Sequence, residues 1–315
     1  MERTSLALLS DQSLLLHAHR ECWPLVRRWA PLNCKAARDE SVALASITIA
    51  PTGDGFSAPR PNEPSALRLG QVDVWMEPDN RVALLYGATH SVGRIDLESM
   101  DARLELDVGA EPHVGEDLYS MLTISSALLF GRMGRALIHS AAVADPSGRS
   151  WLIVGDGQSG KSTTCVGLTL AGYQLLSDDQ VVLWRTDNGL MVEGWVRPLH
   201  LDEGWESGTP TGQRRTVQPS EMGIEFSQGF ASVAGTLHTA VAAEQPTALA
   251  PIPAAEAFTG LVRQSPWLLA DRSAAESVVA VLSETARLPS YSLSLGLDTY
   301  GRGPGLRTLL DSVLP

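Results

Sequence analysis

Lysine is almost absent from this sequence. Of the 24 lysines and arginines among its 315 residues, only Lys35 and Lys161 are lysine, so the remaining 22 are arginine. An ammonium group is a compact point charge and a guanidinium group is a planar fork, so the two are not interchangeable at a phosphate. A position that keeps lysine in such a chain therefore invites a reason.

Cysteine is also scarce. The three cysteines, Cys22, Cys34 and Cys165, are an odd number and lack the spacing of a metal site. This pattern argues against both a disulfide framework and a structural zinc site. We expect a protein of the reducing cytoplasm.

The sequence predicts neither a membrane-spanning run nor an export signal. The longest strongly apolar stretch, 122–130, is about half of the roughly 20 residues that a bilayer-spanning helix needs. Glu2 stands where an export signal needs positive charge, and the apolar run 14–16 leads directly into His17, His19 and Arg20. We therefore expect no membrane segment.

Positive charge does not dominate the chain. The 24 cationic residues face 36 anionic ones, which gives a net charge of −12. Such a surface repels a polyanion and argues against a dedicated nucleic-acid binder, although a local basic pocket is still possible.

The length predicts two domains, or one large α/β domain with an added lobe. The oligomeric state is open, a homo-oligomer included.

Residues 1–115 are predicted to form a small, strand-rich lobe. Short apolar runs alternate there with Pro, Gly, Asp and Asn, and 51–64 is predicted to be a loop or a partly mobile insert. The lobe has no recognisable catalytic spacing, and substrate or partner recognition is our hypothesis for it. The predicted strands are 5–10, 42–49, 72–76, 81–86 and 103–108.

Residues 116–315 are predicted to form an α/β domain. The order of strand, glycine-rich loop, helix and strand begins near residue 151. The predicted elements are helix 117–133, strands 137–144 and 151–154, helix 161–171, strand 174–184, helix 274–287, strand 291–297 and helix 306–313.

The segment 155–162 matches the phosphate-binding pattern G-x-x-x-x-G-K-[ST] in full. Its glycines let backbone N–H groups converge on phosphate oxygens, and its lysine, Lys161, is one of the two in the chain. The Ser162 hydroxyl is a ligand for Mg²⁺, so we expect ATP and Mg²⁺ as cofactors. The predicted nucleotide-binding residues are Gly155, Asp156, Gly157, Gln158, Ser159, Gly160, Lys161, Ser162 and Thr163.

The rest of the chain narrows the class of nucleotide-binding protein. It has neither the Asn-Lys-x-Asp element of GTPases nor the Leu-Ser-Gly-Gly-Gln signature of transporter ATPases. It does have the pair Asp178–Asp179, which suits one carboxylate for Mg²⁺ and one for a hydroxyl proton. Adjacent side chains on a strand face opposite ways, so both can face the phosphates only if the strand ends or bulges there. An exposed acidic turn is the alternative.

The run from His139-Ser-Ala-Ala-Val through this loop to Ala-Gly-Tyr-Gln-Leu-Leu-Ser-Asp-Asp179 resembles the catalytic domain of bacterial HPr kinase/phosphorylase. The likeness is specific over 137–183 and weak elsewhere. It implies a phosphate-loop fold similar to phosphoenolpyruvate carboxykinase, with a mixed central sheet and flanking helices. It also implies ATP-dependent phosphorylation of a serine hydroxyl on a protein or peptide.

The resemblance assigns roles to individual residues. Lys161 matches the phosphate lysine and Ser162 the magnesium hydroxyl. Asp179 matches the general base, and Asp178 would lie near the metal. His139 matches a histidine near the phosphates, although a histidine in an apolar strand is by itself more often a core residue.

The sequence also departs from that family. Thr163 replaces a glutamate, and the segment Glu-Ile-Arg-Gly-Leu-Gly is missing, so the reverse phosphorolysis is not expected. The nearest later segments are Arg-Pro-Leu-His-Leu from Arg197, Gly-Gln-Arg-Arg from 212 and Leu-Val-Arg-Gln-Ser-Pro-Trp from 261. Because arginine can stabilise phosphate charge, we select Arg214, Arg215 and Arg263 as candidates, with solvated surface arginines as the alternative.

The segments 263–269 and 295–300 resemble a subgroup of stand-alone homologues that includes kinases of lasso-peptide precursors. This resemblance implies the C-terminal serine of a peptide as acceptor. Two other hypotheses stay open: a kinase for a small-molecule hydroxyl, and a regulatory module that binds ATP without transfer.

Overall fold

The computed structural model describes residues 3–53, 60–301 and 305–311. The chain forms two compact units: Met1–Arg135 with Pro266–Val278, and Ala136–Ser265 with Val279–Pro315. The division of functional domains at 115/116 stays a prediction. Among the described residues, no helix is long and apolar enough to cross a membrane.

The first unit is built on a nine-stranded mixed sheet. Its strand order is β3-β1-β2-β4-β9-β8-β7-β6-β5, and only the β2–β4 and β4–β9 pairs are parallel. The strands are β1 (Arg3–Ala7), β2 (Leu14–His19), β3 (Lys35–Ala36), β4 (Ala45–Pro51), β5 (Leu67–Leu69), β6 (Val72–Met76), β7 (Val82–Tyr86), β8 (Val92–Asp96) and β9 (Asp101–Leu106).

Two helices accompany this sheet, α1 (Trp23–Trp29) and α2 (Val114–Arg132). The second matches the predicted helix 117–133 closely. Sixteen of its 19 residues are buried, including the carboxylate residue Asp117. Asp117 accepts hydrogen bonds from the backbone N–H groups of Ala88 and Thr89, so the buried charge is compensated.

The second unit contains the other large mixed sheet, of order β10-β14-β15-β18-β12-β11-β13. One more strand, β20, pairs with β18 and with β19, and β16 and β17 form a separate hairpin. The strands are β10 (Ala136–Ile138), β11 (Ala141–Ala144), β12 (Arg149–Val154), β13 (Gln174–Ser177), β14 (Gln180–Thr186), β15 (Gly189–Trp195), β16 (Leu199–Asp202), β17 (Arg214–Val217), β18 (Phe230–Val241), β19 (Ala248–Pro251) and β20 (Ser290–Leu295).

The later helices are α3 (Lys161–Leu170), α4 (Ala254–Arg263), α5 (Arg272–Ala286) and α6 (Gly305–Asp311). They confirm the predicted helices 161–171 and 274–287 within one or two residues. Residues 312 and 313 of the predicted helix 306–313 lie outside the described residues.

A buried core fixes the start of α3 against the sheet. Cys165 and Val166 of α3 pack into the same apolar cluster as Trp151 and Ile153 of β12 and Leu237 of β18. The strands β12 and β18 run parallel, with Val154 opposite His238. Their carboxyl ends therefore meet at one sheet edge, which is where the glycine-rich loop begins.

Two predicted strands are each broken in two. The predicted strand 137–144 is β10 and β11, and the predicted strand 174–184 is β13 and β14. The two halves of each broken strand have different partners. The first half β10 pairs with the second half β14, whereas β11 pairs with β13. The residues at these breaks are the ones that the sequence selects for chemistry.

Candidate active site

The glycine-rich loop connects β12 to α3. Gln158 and Gly160 have positive φ angles of 67° and 93°, and the first residue of α3 is Lys161. When residues with right-handed and left-handed backbone conformations alternate, successive N–H groups point toward one position. The N-terminus of a helix adds positive potential at that position. The hydroxyl groups of Ser159 and Thr239 lie 3.1 Å apart and connect the loop to β18. The loop has the geometry that binds an anion.

We predict that Gly160→Ala destabilises this unit by about 1–3 kcal/mol. The φ of +93° is strained for any residue with a Cβ, and the added carbon would collide with Leu295 Cδ1. Gly157→Ala is the matched control, because a Cβ there meets nothing within 4 Å. Chemical denaturation of both variants tests this, and equal losses would show that the Gly160 conformation is not the cause.

Lys161 lies at the centre of the loop. Its side chain is buried, and Nζ donates hydrogen bonds to the carbonyl oxygens of Gly155 at 2.7 Å and Asp156 at 3.1 Å. Burial lowers the pKa of this ammonium group, and the charges of Asp178 and Asp179 oppose that effect. The lysine therefore folds back onto carbonyl oxygens that phosphate oxygens can replace.

Asp178 and Asp179 occupy the short connection between β13 and β14. The hydroxyl of Ser177 holds this connection: it lies 2.8 Å from the Gln180 carbonyl oxygen and accepts the backbone N–H groups of Asp179 and Gln180. The strand β13 ends at Ser177, so the alternation of side chains along a strand does not apply to Asp178 and Asp179. Both carboxylates consequently line one cavity.

Asp178 is the more buried of the two carboxylates, with 6% of its surface exposed. Burial raises its pKa to about 7, although the Ser162 hydroxyl, the Lys161 charge and the backbone N–H of His200 act in the opposite direction. Its Oδ1 atom is buried and has no hydrogen-bond partner among the described residues. This oxygen is therefore available to a ligand.

The donor set around Asp178 fits Mg²⁺. It combines a carboxylate oxygen without a partner and the Ser162 hydroxyl. No group of three metal-ligating side chains occurs among the described residues. Mg²⁺ usually takes one or two protein oxygens and completes its shell with water and substrate phosphates, so a site of this kind suits it.

Asp179 is held from two sides. Its Oδ1 atom lies 3.0 Å from Nδ1 of His139, and its Oδ2 atom lies 3.4 Å from Nε of Arg197. His139 sits at the break between β10 and β11, and Arg197 follows β15. The Arg197 side chain is 9% exposed, and its guanidinium lies over the Trp195 ring. This arrangement fixes the direction of the Asp179 carboxylate.

Of the three arginines selected from the sequence, one lines the cavity and two do not. Arg214 lines the cavity, and its positive charge repels that of Lys161. Arg215 is the next residue on the same strand and forms an ion pair with Glu206 at 3.3 Å, away from the cavity lining. Arg263 is exposed at the end of α4 and does not line the cavity either.

Arg197, which lies beside Asp179, was not among the three arginines selected from the sequence. It begins the Arg-Pro-Leu-His-Leu segment that the sequence analysis named, yet the sequence carries no sign that this side chain is buried beside Asp179. An arginine directly after a strongly apolar run is the available signal, because a buried charge requires a partner.

The cavity has a volume of about 560 Å³, which is in the range of small-molecule sites. Its lining includes the polar residues His139 and Lys161 and the two aspartates, and also the apolar residues Val241, Leu295 and Leu297. Of the predicted loop residues, Gly155, Asp156 and Ser159 do not line it. Gly157, Gln158, Gly160, Lys161, Ser162 and Thr163 do.

Comparison with solved structures finds distant likenesses. No family model and no curated protein matches the chain. A solved structure, the Hpr(Ser) kinase/phosphatase from Coxiella burnetii, is similar at 14% identity over 56% of this chain and 92% of that chain, with a TM-score of 0.28. A likeness this distant does not establish a family, and the function has to be argued from the site.

Proposed function

We propose that the chain is an ATP- and Mg²⁺-dependent kinase that phosphorylates a serine hydroxyl on a peptide or small protein. The supporting observation is the convergence of Lys161, Asp178 and Asp179 in one cavity at the N-terminus of α3. An anion-binding loop alone would fit many nucleotide-binding proteins. The two carboxylates beside it supply what transfer to a hydroxyl needs in addition.

Each of these residues has a role in the proposed reaction. The loop N–H groups and Lys161 bind the phosphates, and Asp178 and Ser162 would hold Mg²⁺. ATP supplies the γ-phosphoryl group. Asp179 accepts the proton of the acceptor hydroxyl while the new oxygen–phosphorus bond forms and the bond to ADP breaks. His139 and Arg197 orient Asp179.

The acceptor is proposed from the resemblance rather than from the geometry. The C-terminal serine of a lasso-peptide precursor is the proposed substrate, and a cytoplasmic location fits it. Residues 1–115 would recognise the peptide or a partner. Because Thr163 replaces the glutamate of the bifunctional enzymes, we propose phosphorylation without phosphorolysis.

Intact-mass spectrometry of serine peptides tests this function. Peptides that end in serine are incubated with ATP, Mg²⁺ and either the wild-type protein or Lys161→Ala. We expect the mass of one or more phosphates with wild type only. ADP release without a modified peptide would favour a small-molecule acceptor, and ATP binding without turnover would favour a regulatory module.

We predict that Arg197→Ala lowers kcat for phosphate transfer by about tenfold to a hundredfold while KM for ATP changes less than about threefold. The reason is that Arg197 contacts Asp179, the proposed base, and does not line the cavity. Steady-state kinetics separates the two parameters. Arg263→Ala is the matched control, and a rise in KM for ATP with unchanged kcat in Arg197→Ala would contradict the positioning role.

A further inference from the structure

The hairpin of β16 and β17 presents a second positive charge to the cavity. Its register pairs Asp202 with Arg214 and His200 with Thr216. Directly opposed residues of an antiparallel pair share a face, and so do residues two apart on one strand. His200, Asp202 and Arg214 accordingly all line the cavity.

Asp202 forms no ion pair with Arg214, and its carboxylate oxygens bond to other groups. Oδ1 accepts hydrogen bonds from the backbone N–H groups of Gly204 at 2.8 Å and Thr211 at 2.9 Å, and from the Tyr300 hydroxyl at 3.0 Å. Oδ2 accepts the N–H of Gly212 at 2.7 Å. Asp202 therefore holds the 203–213 loop in place rather than pairing with its neighbour across the hairpin.

Arg214 forms no ion pair with any carboxylate in the described part of the chain. Its side chain is exposed, and its charge and that of Lys161 repel each other. A bound anion would relieve the repulsion.

The position of the hairpin indicates which anion this is. His200 and Arg214 of the hairpin line the same cavity as Asp178 and Asp179, so the hairpin lies beside the two aspartates. An acceptor hydroxyl has to approach on that side to reach Asp179. The loop and Lys161 lie at the start of α3 and already serve the phosphates.

We propose that Arg214 binds a carboxylate of the acceptor, close to the serine that receives the phosphate. This inference rests on the proposed function. The carboxylate belongs either to a C-terminal serine, three bonds from its hydroxyl, or to an acidic side chain beside an internal serine. A guanidinium group pairs with a carboxylate through two parallel hydrogen bonds, which would also orient the serine.

The test compares acceptor peptides that differ only in this charge. One pair ends in serine with either a free carboxylate or an amide, and a second pair has an internal serine followed by aspartate or asparagine. For wild type we expect kcat/KM to fall at least tenfold on removal of the carboxylate in one of the pairs. For Arg214→Ala, the charged peptide should lose the same factor and the uncharged one should change less than about threefold.

Arg215→Ala is the matched control, since it removes the adjacent arginine, which pairs with Glu206 outside the cavity. It should retain the full preference of wild type. Equal losses for charged and uncharged peptides in Arg214→Ala would overturn the inference and place Arg214 on the nucleotide. A wild type indifferent to the carboxylate in both pairs would overturn it as well. If wild type phosphorylates no peptide at all, the proposed function itself fails, and the inference fails with it.

Discussion

Asp179→Asn should reduce phosphate transfer by about a hundredfold to ten-thousandfold, the usual contribution of a general base. Asparagine keeps the shape of the side chain, and its amide still reaches His139 and Arg197, which lie 3.0 Å and 3.4 Å from the carboxylate oxygens. What it removes is the ability to accept the hydroxyl proton. Single-turnover transfer to the acceptor peptide measures this loss, and nucleotide affinity should stay within about threefold of wild type.

Asp187→Asn is the control for this variant, because it is the same substitution on the exposed turn that follows β14. It should behave as wild type in transfer and in binding. If Asp179→Asn instead transfers phosphate at the wild-type rate, Asp179 is not the base. A regulatory module would retain its output in this variant, whereas either kind of kinase would lose transfer.

Lys161→Ala should reduce phosphate transfer by about a hundredfold to a thousandfold, the range seen when one stabilising charge is removed from a reacting centre. The lysine is held 2.7 Å from the Gly155 carbonyl oxygen and is the cation at the centre of the loop. Without this side chain, the proposed phosphate site loses its lysine ammonium group. Nucleotide affinity should fall as well, because the proposed role of Lys161 includes binding phosphate in the ground state.

The chain offers one natural control for this variant. Lys35 is the only other lysine, and it is exposed on β3 in the first unit. Lys35→Ala should leave transfer and affinity unchanged. Equal effects at the two lysines would mean that general charge, rather than the loop, governs the activity.

The loop itself could be predicted from the sequence because its determinants are local. Gly160, Lys161 and Ser162 stand at fixed spacing between an apolar strand and a helix, and the structure places that helix at Lys161–Leu170. No long-range contact is needed to specify such a turn. The strands β2, β3, β5 and β8 of the first unit were not predicted, because strand formation depends on pairing with neighbouring strands as well as on the local pattern.

The sequence alone could not show that the candidate catalytic side chains lie close together, because this depends on the tertiary structure. Local periodicity does not show that the strands on either side of His139 pair with different partners, nor that the same happens at Asp178 and Asp179. The burial of Arg197 likewise depends on β15 and on Asp179. The sequence could select three candidate arginines, but strand register decides that Arg214 faces the cavity and Arg215 does not.

The most direct test of the central claim is a calorimetric titration of the wild-type protein with a non-hydrolysable ATP analogue, with and without Mg²⁺. We predict one nucleotide site per chain, with an affinity that Mg²⁺ increases. We also predict that Lys161→Ala weakens binding at least tenfold, whereas Lys35→Ala and Asp179→Asn do not. Absence of binding, or equal affinity in wild type and Lys161→Ala, would contradict the claim that this cavity is the nucleotide site of a kinase.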